Sequence, residues 1–160
     1  DLAAQYYRDA LERSPADSTE LLEAYYGLLA TFDGRSEVSQ EQIDLCLQAL
    51  EQYPLDAQLL CAMAGYLQQQ GRLDLASRAY ALAWHNGQTD PQTWHVRDIN
   101  VAAASCLALV QQLLGQDDAA RQTLEEVLAV APHVSAARRQ LIDLHIKHGR
   151  TSEALAELAD

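Results

Sequence analysis

Proline and glycine are scarce in this chain, at 4 and 7 of its 160 residues. So few breakers fit a helical protein with short turns. Val, Ile and Thr are sparse beside Leu and Ala, which argues against strands. The cysteines number only 3. Cys46, Cys61 and Cys106 lie far apart in apolar runs, so they form neither a closed disulfide framework nor a CxxC metal site. They read as reduced, buried, small hydrophobes, which points to a reducing, cytoplasmic setting. Bases are outnumbered, 11 against 23 acids, for a net charge of −12. Residues 1–60 carry 12 acids and 3 bases, and residues 61–160 carry 11 and 8. Such a surface repels phosphate backbones, so no nucleic-acid partner is expected. A basic peptide suits it better, although solubility alone also accounts for an acidic surface. The longest apolar run, VAAASCLALV from Val101, falls short of the ~20 residues that span a bilayer, so no membrane insertion is expected. No signal peptide is visible. The chain starts at Asp1, not Met, and reads as a piece of a longer protein whose targeting signals are missing.

What is present is repetition. Hydrophobic residues make up 49%, enough for a continuous core in one domain or a short repeat array. Aligned on Gly71, Gly115 and Gly149, three segments share a pattern. An Ala follows each Gly by five (Ala76, Ala120, Ala154) and a larger residue by nine (Tyr80, Leu124, Leu158). Ala83 and Val127 follow by twelve. Eight before each Gly stand Met63, Leu107 and Leu141, and seven before stand Ala64, Ala108 and Ile142. This spacing predicts a helix, a tight Gly turn and a second, antiparallel helix. Small residues at Ala64 and Ala76 let the pair approach closely, and Tyr80 fills the gap to the next pair. Pro132 blocks continuation of a second helix. A looser unit precedes these, with Tyr26 and Gly27 standing eight and seven before Gly34.

Nine helices are expected, near 2–14, 18–32, 40–53, 56–70, 73–86, 91–114, 117–131, 134–148 and 151–159. Asp17 with Glu20, and Ser39 with Gln42, have capping-box spacing. Asp56 and Asp117 are simple cap candidates.

Pattern and spacing resemble the tetratricopeptide repeat (TPR) family over most of the chain, most closely from Asp56 to Asp160. The family's usual Trp in the first helix is absent from every unit. The resemblance implies an all-α fold, a right-handed α-solenoid of antiparallel helix pairs. It divides a single domain, 1–160, into units near 18–54, 56–90, 91–133 and 134–160, with 1–15 as the second helix of a preceding unit. Both ends then lack the polar capping helices that arrays need. A longer parent chain, a partner or a second copy would cover them.

The resemblance also implies a concave groove lined by the first helices. Its positions are Gln58, Cys61, Gly65 and Gln68 on the fourth helix, and Ala102, Ser105, Leu109 and Gln112 on the sixth. On the eighth they are Ala136, Arg139, Asp143 and Ile146. These are mostly small or neutral, leaving space for a helix or extended peptide. The Lys/Asn carboxylate clamp of some TPR proteins is absent, since Cys61, Gly65, Ser105 and Leu109 occupy its positions. A groove that merely follows from solenoid curvature is the bland reading.

The stretch WHNGQTDPQTWHVRDIN (Trp84 to Asn100) inserts ten residues into this register. Gly87 is expected to end a helix in a left-handed conformation. Thr89 or Asp90 caps the next helix, and Pro91 suits its first position. Most of the insertion then reads as two to three extra turns on the sixth helix, with a kink near Asp98–Asn100 as the alternative. Trp94 either packs on Trp84 or the preceding loop, or serves as an exposed anchor.

Catalytic chemistry is not legible. His145 and His148 read as surface histidines near a helix C-terminus, where positive charge is favoured, and not as metal ligands. Asp117-Asp118 and Glu125-Glu126 read as solvated faces. No phosphate loop is present. Arg138, Arg139, Lys147 and Arg150 form a basic patch, either ordinary surface charge or a docking site for an acidic segment of a partner or second copy. No metal, cofactor or enzymatic role is expected. The reading is a protein-interaction scaffold binding a peptide or helix in the groove. A structural or oligomerising segment of a larger enzyme, such as a glycosyltransferase, is the alternative.

Overall fold

The computed structural model describes residues 2–16, 18–32, 37–89 and 99–159. Among them are nine helices: α1 (Leu2–Arg13), α2 (Thr19–Ala30), α3 (Gln40–Gln52), α4 (Ala57–Gln69), α5 (Leu73–Asn86), α6 (Ile99–Leu113), α7 (Asp117–Val130), α8 (Ser135–Lys147) and α9 (Thr151–Ala159). Each packs on the next along the chain, and α4 also touches α6 directly. The architecture is the expected all-α solenoid, in which each unit contacts only its neighbours.

The turns are built alike. Gly71, Gly115 and Gly149 have φ of 73°, 73° and 69°, the left-handed region where a Cβ is penalised. At each, the next N–H reaches back to close the helix: Arg72 to the Leu67 carbonyl at 2.9 Å, Gln116 to Gln111 at 2.8 Å, Arg150 to His145 at 2.8 Å. This is the Schellman closure, which satisfies carbonyls left open at a helix end.

The repeat positions form the core. Ala64 and Ala76 are both fully buried, where α4 and α5 close on each other. Tyr80 is 4% exposed and packs with Ala103, Leu107 and Val110 of α6, as its bulk predicted. Ala104, Ala108, Ala120, Leu124, Val127, Ala137, Leu141 and Leu144 continue the core into the next unit. Burial of each such Leu contributes roughly 1.5–3 kcal/mol. Leu158 occupies the same repeat position as Tyr80 and Leu124, yet it is 68% exposed. No described helix follows α9 to cover it.

In the first unit, α2 is buried almost all round, with Leu21, Leu22, Tyr25, Tyr26, Leu28 and Leu29 in one cluster with Leu45, Cys46, Leu59 and Met63. Tyr7 of α1 lies against Gly27, where an added Cβ would collide with the ring. Polar contacts tie α2 to the turn between α3 and α4. Asp56, 8% exposed, caps α4 by accepting from the Leu59 N–H at 2.8 Å, and it accepts from the Tyr26 hydroxyl at 2.6 Å. The Tyr53 hydroxyl donates to the Ser18 carbonyl at 2.7 Å.

Several local expectations are corrected. The α2 cap is Ser18, which accepts from the Leu21 N–H; Asp17 lies outside the described residues. Ser39 and Gln42 do form a capping box. Asp117 is the first residue of α7 and does not cap it; Gln116 precedes it with no side-chain cap bond. Gly87 is extended, with φ −62° and ψ 128°, not left-handed. Its lack of a side chain matters for packing: a Cβ there would strike the Ala83 carbonyl oxygen and crowd Ala57. The backbone beside it bridges to the preceding turn, with Gln88 N–H donating to Leu55 at 2.6 Å and Ala57 N–H to Gln88 at 2.9 Å. The cap candidate Asp90, Pro91 at the expected first helical position, Trp94 and most of the expected extra turns lie outside the described residues, and α6 is described from Ile99. Trp84 is half-buried beside the α6–α8 core, and its indole N–H reaches Glu126 at 3.5 Å.

Candidate functional site

Helices α6 and α8 bury most of their surface and leave one stripe exposed, whereas α4 is half-buried along the corresponding stripe. On α6 the buried set is Ala103, Ala104, Leu107, Ala108 and Val110. What remains is the stripe through Ala102, Leu109 and Leu113, with Ser105, Cys106 and Gln112 half-buried beside it. On α8, burial of Ala137, Leu141, Leu144 and His145 leaves Ala136, Arg139, Asp143 and Ile146 outward. On α4, Gln58, Cys61, Gly65 and Gln68 are half-buried. The expected groove positions thus fall on exposed or half-exposed faces of their helices.

Their environments differ. Gln58 has an enclosed side-chain oxygen with no hydrogen-bond partner among the described residues. Gln68 accepts from the Tyr80 hydroxyl at 3.2 Å. The Ser105 hydroxyl donates to the Val101 carbonyl of its own helix at 3.1 Å. Leu109 is 42% exposed, Leu113 58% and Ile146 62%. Leu113 was not among the expected groove positions. Its signal was there, since it stands one helical turn from Leu109.

The thiols are chemically quiet. Burial pushes Cys46 up to about 12 and Cys61 up to about 11, with Cys106 adding to the latter. Cys106 is also raised by burial, against a hydrogen bond from Tyr80 that lowers it. Thiols held protonated are poor nucleophiles and poor metal ligands. Cys46 is fully buried as expected, whereas Cys61 and Cys106 are only half-buried. No group of three His, Cys, Asp or Glu side chains among the described residues is arranged for a metal.

His145 is buried, not on the surface, and its Nδ1 has no hydrogen-bond partner among the described residues. His148 is exposed and meets Asp117 at 2.9 Å. Lys147 meets the same carboxylate at 2.6 Å, and the Asp117 side chain is only 17% exposed. The hydrogen bond from Lys147, followed by that from His148, holds the Asp117 carboxyl below the usual carboxylate range. Asp117 is therefore a clasp between two neighbouring turns, not part of a solvated face. The register could have revealed it: Asp117 stands two after one turn glycine, and Lys147 and His148 stand two and one before the next.

The basic patch is mostly spent on such pairs. Arg138 meets Glu157 at 3.3 Å, Lys147 meets Asp117, and Arg150 approaches Asp118 at 3.9 Å. Arg139 stands apart on the exposed face of α8, with no ion pair to any described residue.

No family model matches the chain, and no curated protein matches it by sequence. Solved structures do. A MamA structure superposes with a TM-score of 0.73 at 16% identity, covering 96% of this chain and 81% of that one. Another MamA structure gives 0.64 at 18% identity, covering 98% and 88%. A kinesin light chain structure of nearly identical TPR-like repeats, from Podospora anserina, gives 0.71 at 19% identity, covering 99% and 81%. At these identities the likeness speaks to architecture, and the chain has a TPR-like helical repeat fold.

Proposed function

We propose that the chain is a non-catalytic protein-interaction scaffold that holds a segment of a partner protein against α4, α6 and α8. The observation that carries this is the exposed face of successive first helices, where Leu109, Leu113 and Ile146 stand open to solvent. Large apolar side chains left exposed along the corresponding stripes of α6 and α8 fit an interaction site. The TPR-like neighbours fit such a role. The quiet thiols and internally paired carboxylates favour it over an enzyme. No helix among the described residues is long and apolar enough to cross a membrane, which fits protein partners.

The test is substitution on the face with folding monitored by circular dichroism. A Cβ added at Gly65 meets only the Tyr80 hydroxyl, at 3.7 Å, so Gly65→Arg starts without a steric clash at its Cβ and fills the face. Leu109→Glu places a charge on the neighbouring helix. Both are expected to weaken a partner peptide at least tenfold. Unchanged binding on the folded variants refutes the assignment.

A further inference from the structure

Two of the three thiols flank one hydroxyl. Tyr80 of α5 packs with Ala103, Leu107 and Val110 of α6. Its hydroxyl reaches α4, donating to Gln68 Oε1 at 3.2 Å and standing 3.7 Å from where a Gly65 Cβ would be. Cys61 is one turn before Gly65, on the same stripe of α4. Cys106 is one turn from both Ala103 and Val110, on the face of α6 that packs with Tyr80. Its thiol lies within hydrogen-bond reach of the Tyr80 hydroxyl. Both cysteines pack against one buried cluster, and α4 touches α6 directly, with Cα atoms within 8 Å. Cys106 is also near enough to push the Cys61 thiol up. The third thiol faces elsewhere: Cys46 of α3 donates to the Leu59 carbonyl at 3.5 Å and is fully buried.

We propose that Cys61 and Cys106 are a disulfide site, a dithiol that a low-molecular-weight disulfide such as oxidised glutathione converts into a covalent link between α4 and α6. Both are half-buried, open enough for a small reagent. One cysteine, as thiolate, attacks a sulfur of the reagent; the reagent S–S bond breaks and one glutathione thiolate leaves. The other cysteine gives up its proton and attacks the protein sulfur of the mixed disulfide, and the second glutathione leaves. The two protons end on the released thiols, so two protein thiols are oxidised and one reagent disulfide is reduced. Neither α4 nor α6 contains an Asp, Glu, Lys or Arg, so no cation on either helix holds a thiolate. The reaction is slow for that reason. The same lack favours the bond at equilibrium, because a disulfide is easily reduced when its thiolates are stabilised. The link closes a loop through α5 and fastens the unit of α4 and α5 to that of α6 and α7.

The experiment is incubation of the folded chain with oxidised glutathione at pH 8, then alkylation, digestion with trypsin and Glu-C, and mass spectrometry. Cleavage after Glu51 and Arg72 places the three cysteines on separate peptides. Cys46 should stay free, and one peptide pair should be joined through Cys61 and Cys106 and released by dithiothreitol. The linked chain should melt at least about 4 °C above the reduced one, since a cross-link restricts the unfolded chain. Cys61→Ser and Cys106→Ser, at half-buried positions that accept a hydroxyl, should each form no link and gain no melting temperature. Glutathione adducts that persist on both cysteines, links between chains on a non-reducing gel, a link through Cys46, or a bond that lowers the melting temperature overturns the inference.

Discussion

Leu124 and Leu158 share one residue type and one repeat position, nine after a turn glycine, but differ in burial: 0% against 68% exposed. Truncating both to Ala separates what the repeat pattern dictates from what the neighbouring helix supplies. Leu→Ala removes about three methylene equivalents, near 2.4 kcal/mol at ~0.8 each, when the side chain is fully buried. The enclosed void at Leu124 adds to this, giving about 3–4 kcal/mol within the range for core Leu→Ala changes. At Leu158 about a third of the transfer is at stake and no void closes, so the cost is about 0.8 kcal/mol. Urea unfolding followed by circular dichroism reads both. In thermal melts the same difference is about 6–16 °C lost for Leu124→Ala and about 2–3 °C for Leu158→Ala. If Leu158→Ala costs as much as Leu124→Ala, the outer face of α9 is covered in solution and its exposure here is not the working state. A dependence of the loss on protein concentration would identify the cover as a second copy.

Gly115→Ala forces a Cβ into φ 73° and is expected to cost about 1 kcal/mol, whereas Gly65→Ala, in mid-helix with ordinary contacts, is expected to stabilise by roughly 0.5 kcal/mol; paired urea titrations decide the signs. The Asp117 carboxyl titrates lower in the folded chain than in the unfolded one. Its contribution is therefore complete above the unfolded carboxylate range and is lost as pH falls through the folded value. Asp117→Asn should flatten that part of the acid limb in urea titrations from pH 6 to pH 2.5, and an unchanged limb would refute the clasp. Cys46, fully buried with its thiol near 12, is expected to resist Ellman's reagent at pH 8 until urea unfolds the chain, while half-buried Cys61 and Cys106 react slowly.

Helix number, turn glycines and most core positions were legible because they answer to local rules. A left-handed turn needs Gly, a close helix crossing needs Ala, and a cap needs a short oxygen-bearing side chain. Where two competent residues adjoin, as at Asp17-Ser18, the local rule does not choose, and Ser18 takes the cap. Gly87 was misread because its constraint is steric, imposed by Ala83 and Ala57 of the surrounding structure, and not a matter of its own φ. The register placed Leu109 and Ile146 on exposed stripes of α6 and α8, but it passed over Leu113, which adjoins Gln112 at the edge of the α6 stripe.

By itself the sequence determined an all-α array, its pairing of helices and the uncharged character of α4 and α6, because periodicity, turn chemistry and composition are properties of the chain. Only the tertiary structure decided that Leu124 is core and Leu158 is surface, that His145 is inside, and that Asp117 takes Lys147 and His148 from 30 and 31 residues away. It also left Arg139, alone among the four cations of its patch, without an ion pair to any described residue. Burial and pairing belong to neighbours brought together by folding, and the residue alone does not carry them.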